Sequence, residues 1–337
     1  MRDQPLSLVA RLLSGFCARH GLRLHLVSGL GQAGIIEGPT GRRHAFVGTR
    51  FDLNPQGACE LARDKAYAAE FLSDAGLPVP AHHLVLATAY RQHLSRTRPE
   101  YQSTLWQGFD EARAFARGIG FPVYVKPNTG SGGQDVECIG SETALTLALA
   151  RLSEHHRTLM VQKAVEGHDL RLLCLDERIL CALIRRPATV TGDGESSLAT
   201  LIRLHAVEDA DRADMERHLS AAGLRPDHVP LAGELVPVLP MANLSRGGHA
   251  SFRPLDQIAI PLQEAALSAG RVLGLRYFAV DMIAADPGDP QAAFHLLEVN
   301  GAPGLAELHR QDETAAAMVK EIYESVFTAI LRDLGSP

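Results

Sequence analysis

Apolar positions along this 337-residue chain alternate between a helical rhythm and a period of two, and the switches outline its elements. Leu6, Val9, Leu12, Leu13 and Phe16 recur at helical spacing around Arg11, which predicts an amphipathic N-terminal helix and not a signal peptide. Short strands are predicted over 22–28, 34–37 and 44–48. Asn54-Pro55 supplies an N-cap and a first-turn proline for a helix that continues to Ala75 and stops at Gly76. Leu77-Pro78-Val79-Pro80 reads as an extended linker, 84–87 as a strand, and 91–101 as a loop or weak helix. Beyond it the pattern predicts a helix at 109–117, a strand at 121–126, a glycine-rich loop at 128–134 and a strand at 136–139. A helix at 141–154 and a strand at 158–165 follow. Strands 169–175 and 179–185 form a hairpin around Asp176-Glu177. Helices at 197–207 and 209–221, a strand at 235–239 and a helix at 261–273 come next. Strands 278–284 and 293–300 pair across a polar turn, and a last helix spans 313–334. There is no internal repeat. Strands interrupt helices without a regular βαβ alternation, so the expected class is α+β with mostly antiparallel sheets.

Composition narrows the chemistry. The chain is 46% hydrophobic and 21% charged, with a net charge of −6, so it has no broad basic footprint for nucleic acid. No run approaches a membrane span. The five cysteines (Cys17, Cys59, Cys138, Cys174, Cys181) are unclustered and read as free thiols of a reducing, cytoplasmic compartment. Only four of the 33 basic Lys and Arg residues are lysines: Lys65, Lys126, Lys163 and Lys320. Codon bias explains their scarcity but not their locations, three of which fall where a compact point charge is wanted.

The strongest chemical signal is Leu297-Glu298-Val299-Asn300-Gly301-Ala302-Pro303-Gly304, taken with Asp281 on the preceding strand. Side chains two apart on a strand share a face, so Glu298 and Asn300 project together while Leu297 and Val299 point into the core. With Asp281 they form an all-oxygen set suited to Mg2+, with Mn2+ as the alternative ion. Lys126 ends a strand just before Gly130-Ser131-Gly132-Gly133, a position from which it can reach phosphates that backbone N–H groups close over. No GxxxxGK[ST] is present, so this is not a P-loop. Val161-Gln162-Lys163-Ala164-Val165, followed by Asp169, can offer backbone groups to an adenine edge and a carboxylate to a ribose; Gln162 and Lys163 can equally be surface strand residues. Arg171, Arg185 and Arg186, on facing strands, suggest a cleft that needs positive charge for a carboxylate or transferred phosphate, or else a solvated sheet face. Asn243-Leu244-Ser245-Arg246-Gly247-Gly248 is a further polar loop able to meet a γ-phosphate or substrate. Neither His82-His83 nor His155-His156 has metal-ligand spacing. His309 and Arg310 line a cleft or lie on the surface.

These residues, in this order, resemble the ATP-grasp superfamily of carboxylate–amine ligases over roughly residues 60–310, and are similar to the ATP-grasp portion of cyanophycin synthetases and bifunctional glutathione synthetases. The specific matches run from Arg185 to Gly194, from Asn243 to Gly248 and from Glu298 to Gly304, with Asp64-Lys65 and Gly76-Leu77-Pro78-Val79-Pro80 as a weaker one. The resemblance implies two α+β lobes clasping ATP beside a small N-terminal α/β domain. The expected divisions are 1–88 on the substrate side, 89–165 as the central lobe and 166–337 as the C-terminal lobe. It implies Lys65, Lys126, Ser131, Gly132, Gly133, Gln162, Lys163, Val165 and Asp169 on the nucleotide, and Mg2+ on Asp281, Glu298 and Asn300. Arg185, Lys126 and Arg246 are the expected catalytic residues; Arg171, Arg186, Asn243, Ser245, Gly247 and Gly304 are expected to hold substrate. The implied activity joins an amino acid or peptide carboxylate to an amine through an acylphosphate, with ADP and phosphate released. The alternatives are an ATP-grasp-like kinase acting on a hydroxyl and a non-catalytic nucleotide-binding subunit. Dimers and tetramers are common in relatives. Arg246 stands where cyanophycin relatives usually carry threonine, Gln134-Asp135 alters the end of the glycine loop, and a Mur-ligase-like second module is absent from the sequence. The identity of the joined acid and amine is therefore not inherited from the likeness.

Overall fold

The computed structural model describes residues 6–27, 31–101, 107–130, 132–204 and 209–335. Chain order begins with α1 (Leu8–Arg19), whose Ser7 side chain caps the helix by accepting from the Ala10 N–H. Then come β1 (Arg23–Leu26), β2 (Ala33–Glu37), β3 (Arg43–Val47) and β4 (Arg50–Phe51), an antiparallel meander. Two helices follow, α2 (Gln56–Arg63) and α3 (Lys65–Asp74). The single helix expected from Pro55 to Ala75 is thus broken. Asp64 takes an extended conformation, caps α3 through its side chain and bridges to Thr129, a distant partner that local sequence does not reveal.

The central lobe contains β5 (His82–Leu86), α4 (Thr88–Thr97), α5 (Phe109–Ile119), β6 (Val123–Pro127), β7 (Glu137–Ile139), α6 (Glu142–Leu152) and β8 (Thr158–Lys163). Its antiparallel sheet has the order β5-β8-β6-β7. Period-two alternation sorts its residues: Val123, Val125, Leu159 and Val161 pack against α5 and α6, while Lys126 and Gln162 emerge on the other face. Because β5 belongs to this sheet, the expected boundary at residue 88 falls too late, and 91–101, left open between loop and weak helix, lies largely in α4.

The C-terminal lobe runs β9 (His168–Leu175), β10 (Arg178–Arg186), β11 (Thr189–Thr191), α7 (Leu198–Leu204), α8 (Asp209–Ala221), β12 (Leu235–Pro237), β13 (His249–Arg253), α9 (Ile260–Leu273), β14 (Tyr277–Ala284), β15 (Phe294–Asn300), α10 (Ala306–Gln311) and α11 (Glu313–Asp333). Five strands make an antiparallel sheet of order β13-β10-β9-β14-β15. One face, including Leu170, Leu172, Val280 and Met282, buries against α9. The other face changes character along each strand: Leu173, Leu175, Tyr277 and Ala279 join a core with α11, whereas Asp169, Arg171 and Asp281 on the same face open into a cleft. That core also takes in Phe16 of α1 and Phe46 and Phe51 of the N-terminal sheet, so residues 1–88 do not build a core of their own. Phe327 of α11 meets Phe16 at 5.5 Å and Phe51 at 6.0 Å between ring centroids. No helix of the described residues is long and apolar enough to cross a membrane.

A bulge on β15 corrects one detail. Glu298 pairs with Asp281 and Val299 with Val280, but register shifts before Leu296 pairs with Met282. Leu296 therefore takes the core position expected of Leu297, and Leu297 lines the cleft.

Candidate functional site

Between the two lobes lies a cavity of about 460 Å3. Its floor is the charged end of the C-terminal sheet. Asp281 and Glu298 sit opposite each other on β14 and β15, and Asn300 follows on the same face, its Nδ2 donating to Glu298 Oε1 at 3.0 Å. Arg171, directly across from Asp281 on β9, donates from Nε and Nη2 to its two carboxylate oxygens at 2.6 and 2.7 Å. Arg185 lies opposite Asp169 on β10, donates to its Oδ1 at 2.7 Å and reaches Asp281 Oδ2 at 3.2 Å. Burial would raise the Asp281 carboxyl, but Arg171 and Arg185 outweigh it and hold that group well below the usual carboxylate range. Asp169 resolves the other way: burial pushes it up to about 6 against the pull of Arg185.

The roof comes from the central lobe. Lys126 exits β6 buried at 8% exposure, and its Nζ donates to Gln162 Oε1 at 2.8 Å. Burial lowers its ammonium to about 8, although Glu298 and Asp281 pull it back up. Lys65 opens α3 and bridges roof and floor: its Nζ lies 3.3 Å from Glu298 Oε2 and donates to the Gly130 carbonyl at 3.1 Å. Asn128, only 1% exposed, fixes that lysine, because its Oδ1 accepts from the Ala66 N–H and its carbonyl from the Lys65 N–H. Gly132 and Gly133 line the cavity with φ of 81° and 65°, the left-handed region where a side chain is strained. A Cβ on Gly133 would also come within 3.4 Å of Asn243 Nδ2, so the loop packs directly on the 243–248 turn.

The structure therefore gathers Lys65, Lys126, Gly132, Gly133, Asp169, Arg171, Arg185, Asn243, Ser245, Asp281, Glu298, Asn300 and Gly304 around one cavity. Ser131 lies outside the described residues. Several expected residues are placed differently. Arg186 is exposed on the sheet face opposite Arg185, as strand alternation requires. Arg246 does not line the cavity; its Nη1 donates to the Gly133 carbonyl at 3.1 Å and its Nη2 pairs with Asp214 of α8, which makes it a tether for the glycine loop. Gly247, with φ of 81°, ends the 3-10 turn before it and stays outside the cavity lining. Gln162 is one layer behind Lys126, while Lys163 and Val165 lie beyond the cavity wall at the exit of β8. Asp169, expected at a ribose, is engaged by Arg185. Sequence reasoning missed Asn128, although it directly precedes the glycine loop, and Thr49, Met241 and Glu307, which only the fold brings to the cavity.

No group of three or more His, Cys, Asp or Glu is placed to hold a metal among the described residues. The set here is two carboxylates and an amide on adjacent strands of one face, which fits a hard, oxygen-seeking cation.

No family model matches the chain. Cyanophycin synthetase from Crocosphaera subtropica is 29% identical over 268 residues, 74% of this chain and 28% of that protein. A glutathione biosynthesis bifunctional protein from Mannheimia succiniciproducens is 27% identical over 164 residues, 44% of this chain and 22% of its own length. The chain thus spans about a quarter of the curated relatives it matches. Among solved structures, a bifunctional glutathione synthetase from Pasteurella multocida superposes with a TM-score of 0.55 at 17% identity, covering 95% of this chain and 44% of that one. In sequence the chain is thus similar to cyanophycin and glutathione synthetases, and in fold to a bifunctional glutathione synthetase.

Proposed function

We propose that the protein is an ATP-dependent, ADP-forming carboxylate–amine ligase that uses Mg2+. The observation that carries this reading is the facing of Lys65 and Lys126 on the roof toward Asp281, Glu298 and Asn300 on the floor. A carboxylate attacking a polyphosphate brings two like-charged partners together, so charge neutralisation dominates the barrier. Lys126, Lys65 and Arg185 supply it from three directions. Glu298, Asn300 and Asp281 are the residues that would hold Mg2+, which when bound offsets phosphate charge. Lys65, the ion-pair partner of Glu298, also reaches the Gly130 carbonyl, so its ammonium would stand between the metal-holding carboxylate and the phosphates. The substrate carboxylate attacks the γ-phosphorus, the bond to the β–γ bridging oxygen breaks and ADP leaves. An amine then attacks the acyl carbon, forming the amide as phosphate departs. Closure of the glycine loop, held at Gly133 by Arg246, keeps water from the acylphosphate. Cyanophycin and glutathione synthetases supply the class of substrate, amino acids or peptides.

Glu298→Gln tests this. Substrate-dependent ADP release should fall to background while the thermal melt stays close to wild type. Undiminished ADP release in that variant would remove the mechanism. Hydroxylamine trapping should yield a hydroxamate; a stable phosphoester would instead indicate a kinase.

A further inference from the structure

A second cavity of about 670 Å3 also reaches Glu298, from the side of the N-terminal sheet. Arg50, Asp52, Gln56, Cys59, Glu60 and Arg63 line it, and it shares Lys65, Gly130, Glu298, Asn300 and Ala302 with the nucleotide cleft. Its volume suits a small metabolite. We propose that this cavity delivers the amine substrate: an amino acid whose carboxylate meets Arg50 and whose amino group points at the floor shared by the two cavities. The assignment rests on the ligase reading above.

Three observations support it. An amine must reach the acyl carbon while ADP and the glycine loop fill the first cleft, so a second approach is needed, and this cavity ends on the same floor. Among the described residues the Arg50 side chain makes no ion pair or hydrogen bond, whereas nearby Arg63 is already paired with Glu60 at 2.8 Å. An unpaired guanidinium at a cavity wall matches a carboxylate through a two-pronged contact. The wall is also rigid: buried Asn54, at the start of α2, donates to the carbonyls of Tyr277 at 2.6 Å and Gly301 at 2.9 Å and accepts from the Arg276 and Tyr277 N–H groups. Helix α2 is thereby pinned to the same floor. In the step itself, the neutral amine's lone pair forms the C–N bond and the C–O bond to phosphate breaks. Phosphate leaves with that electron pair and takes up the proton the amine loses.

The test incubates the full chain with ATP, Mg2+ and a mixture of the common amino acids, with and without hydroxylamine. Hydroxamate yield reads carboxylate activation, since hydroxylamine is small enough to need no amino-acid site; amide product, measured by mass spectrometry, reads delivery of the amine. Arg50→Glu, and Ala45→Trp, which fills the cavity from an exposed strand position, should each raise the amino-acid concentration for half-maximal amide formation more than about tenfold. Arg50→Lys should recover much of that loss, and maximal hydroxamate yield should persist in all three. Amide formation at wild-type concentrations of amino acid in both disruptive variants overturns the proposal, as does a parallel fall of hydroxamate and amide. Wild-type protein that forms neither product instead removes the ligase reading, and this cavity's role with it.

Discussion

Lys126 shows how burial brings a lysine's charge within reach of neutral pH. Its ammonium is lowered to about 8 because desolvation outweighs the attraction of Glu298 and Asp281. A bound polyphosphate adds negative charge and raises that value again, so above pH 8 nucleotide binding must take up a proton. Nucleotide affinity should therefore change little between pH 7 and 8 and fall by up to about tenfold per pH unit above that. Titration calorimetry with a non-hydrolysable ATP analogue across that range reads the slope directly; an affinity unchanged between pH 7 and 9 contradicts it. Lys126→Met should remove the slope. It should also weaken binding about 10–100-fold, the equivalent of about 1.5–3 kcal/mol from a charge-assisted hydrogen bond. Arg171 and Arg185 act on the floor as well. They pair with Asp281 and Asp169, which offsets the cost of burying Asp281 as a carboxylate and only part of that cost at Asp169.

At the level of elements, the join between α3 and the glycine loop matters most. Asn128 ends β6's path toward the loop and caps the first turn of α3, while Asp64 bridges Thr129 and Lys65 reaches Gly130. Asn128→Ala leaves the Ala66 N–H without its acceptor and should cost about 1–2 kcal/mol in urea denaturation. Nucleotide affinity should drop in the same variant, because Lys65 loses its fixed approach; full stability together with unchanged affinity would show that the contact positions nothing. The bulge on β15 acts at the same scale. One extra residue lets Glu298 and Asn300 face the cleft while Leu296 and Val299 remain in the core.

Across the whole molecule, α11 is the spine that joins the N-terminal sheet to the C-terminal lobe. Phe327 contacts both, so Phe327→Ala should destabilise by about 3–5 kcal/mol. By circular dichroism the N-terminal and C-terminal parts should still melt in one transition; two separated transitions would mean that the N-terminal sheet folds alone. Much of this architecture was legible beforehand. Alternating patterns located most strands, and spacing of two put Glu298 and Asn300 on one face. Order along the chain placed Lys126 before its glycine loop. These features are encoded within a few residues of each other, where covalent geometry sets which side chains share a face. Other features depend on partners far apart in sequence: the helix break at Asp64 made by Thr129, Arg246 reaching the Gly133 carbonyl from outside the cavity lining, and the engagement of Asp169 by Arg185. The sequence by itself determined the acid–amide pair and the lysine–glycine junction. Only the tertiary structure decided that they face one another, and that a second cavity meets them, because lobe packing and long-range ion pairing select among arrangements that local preference leaves equal.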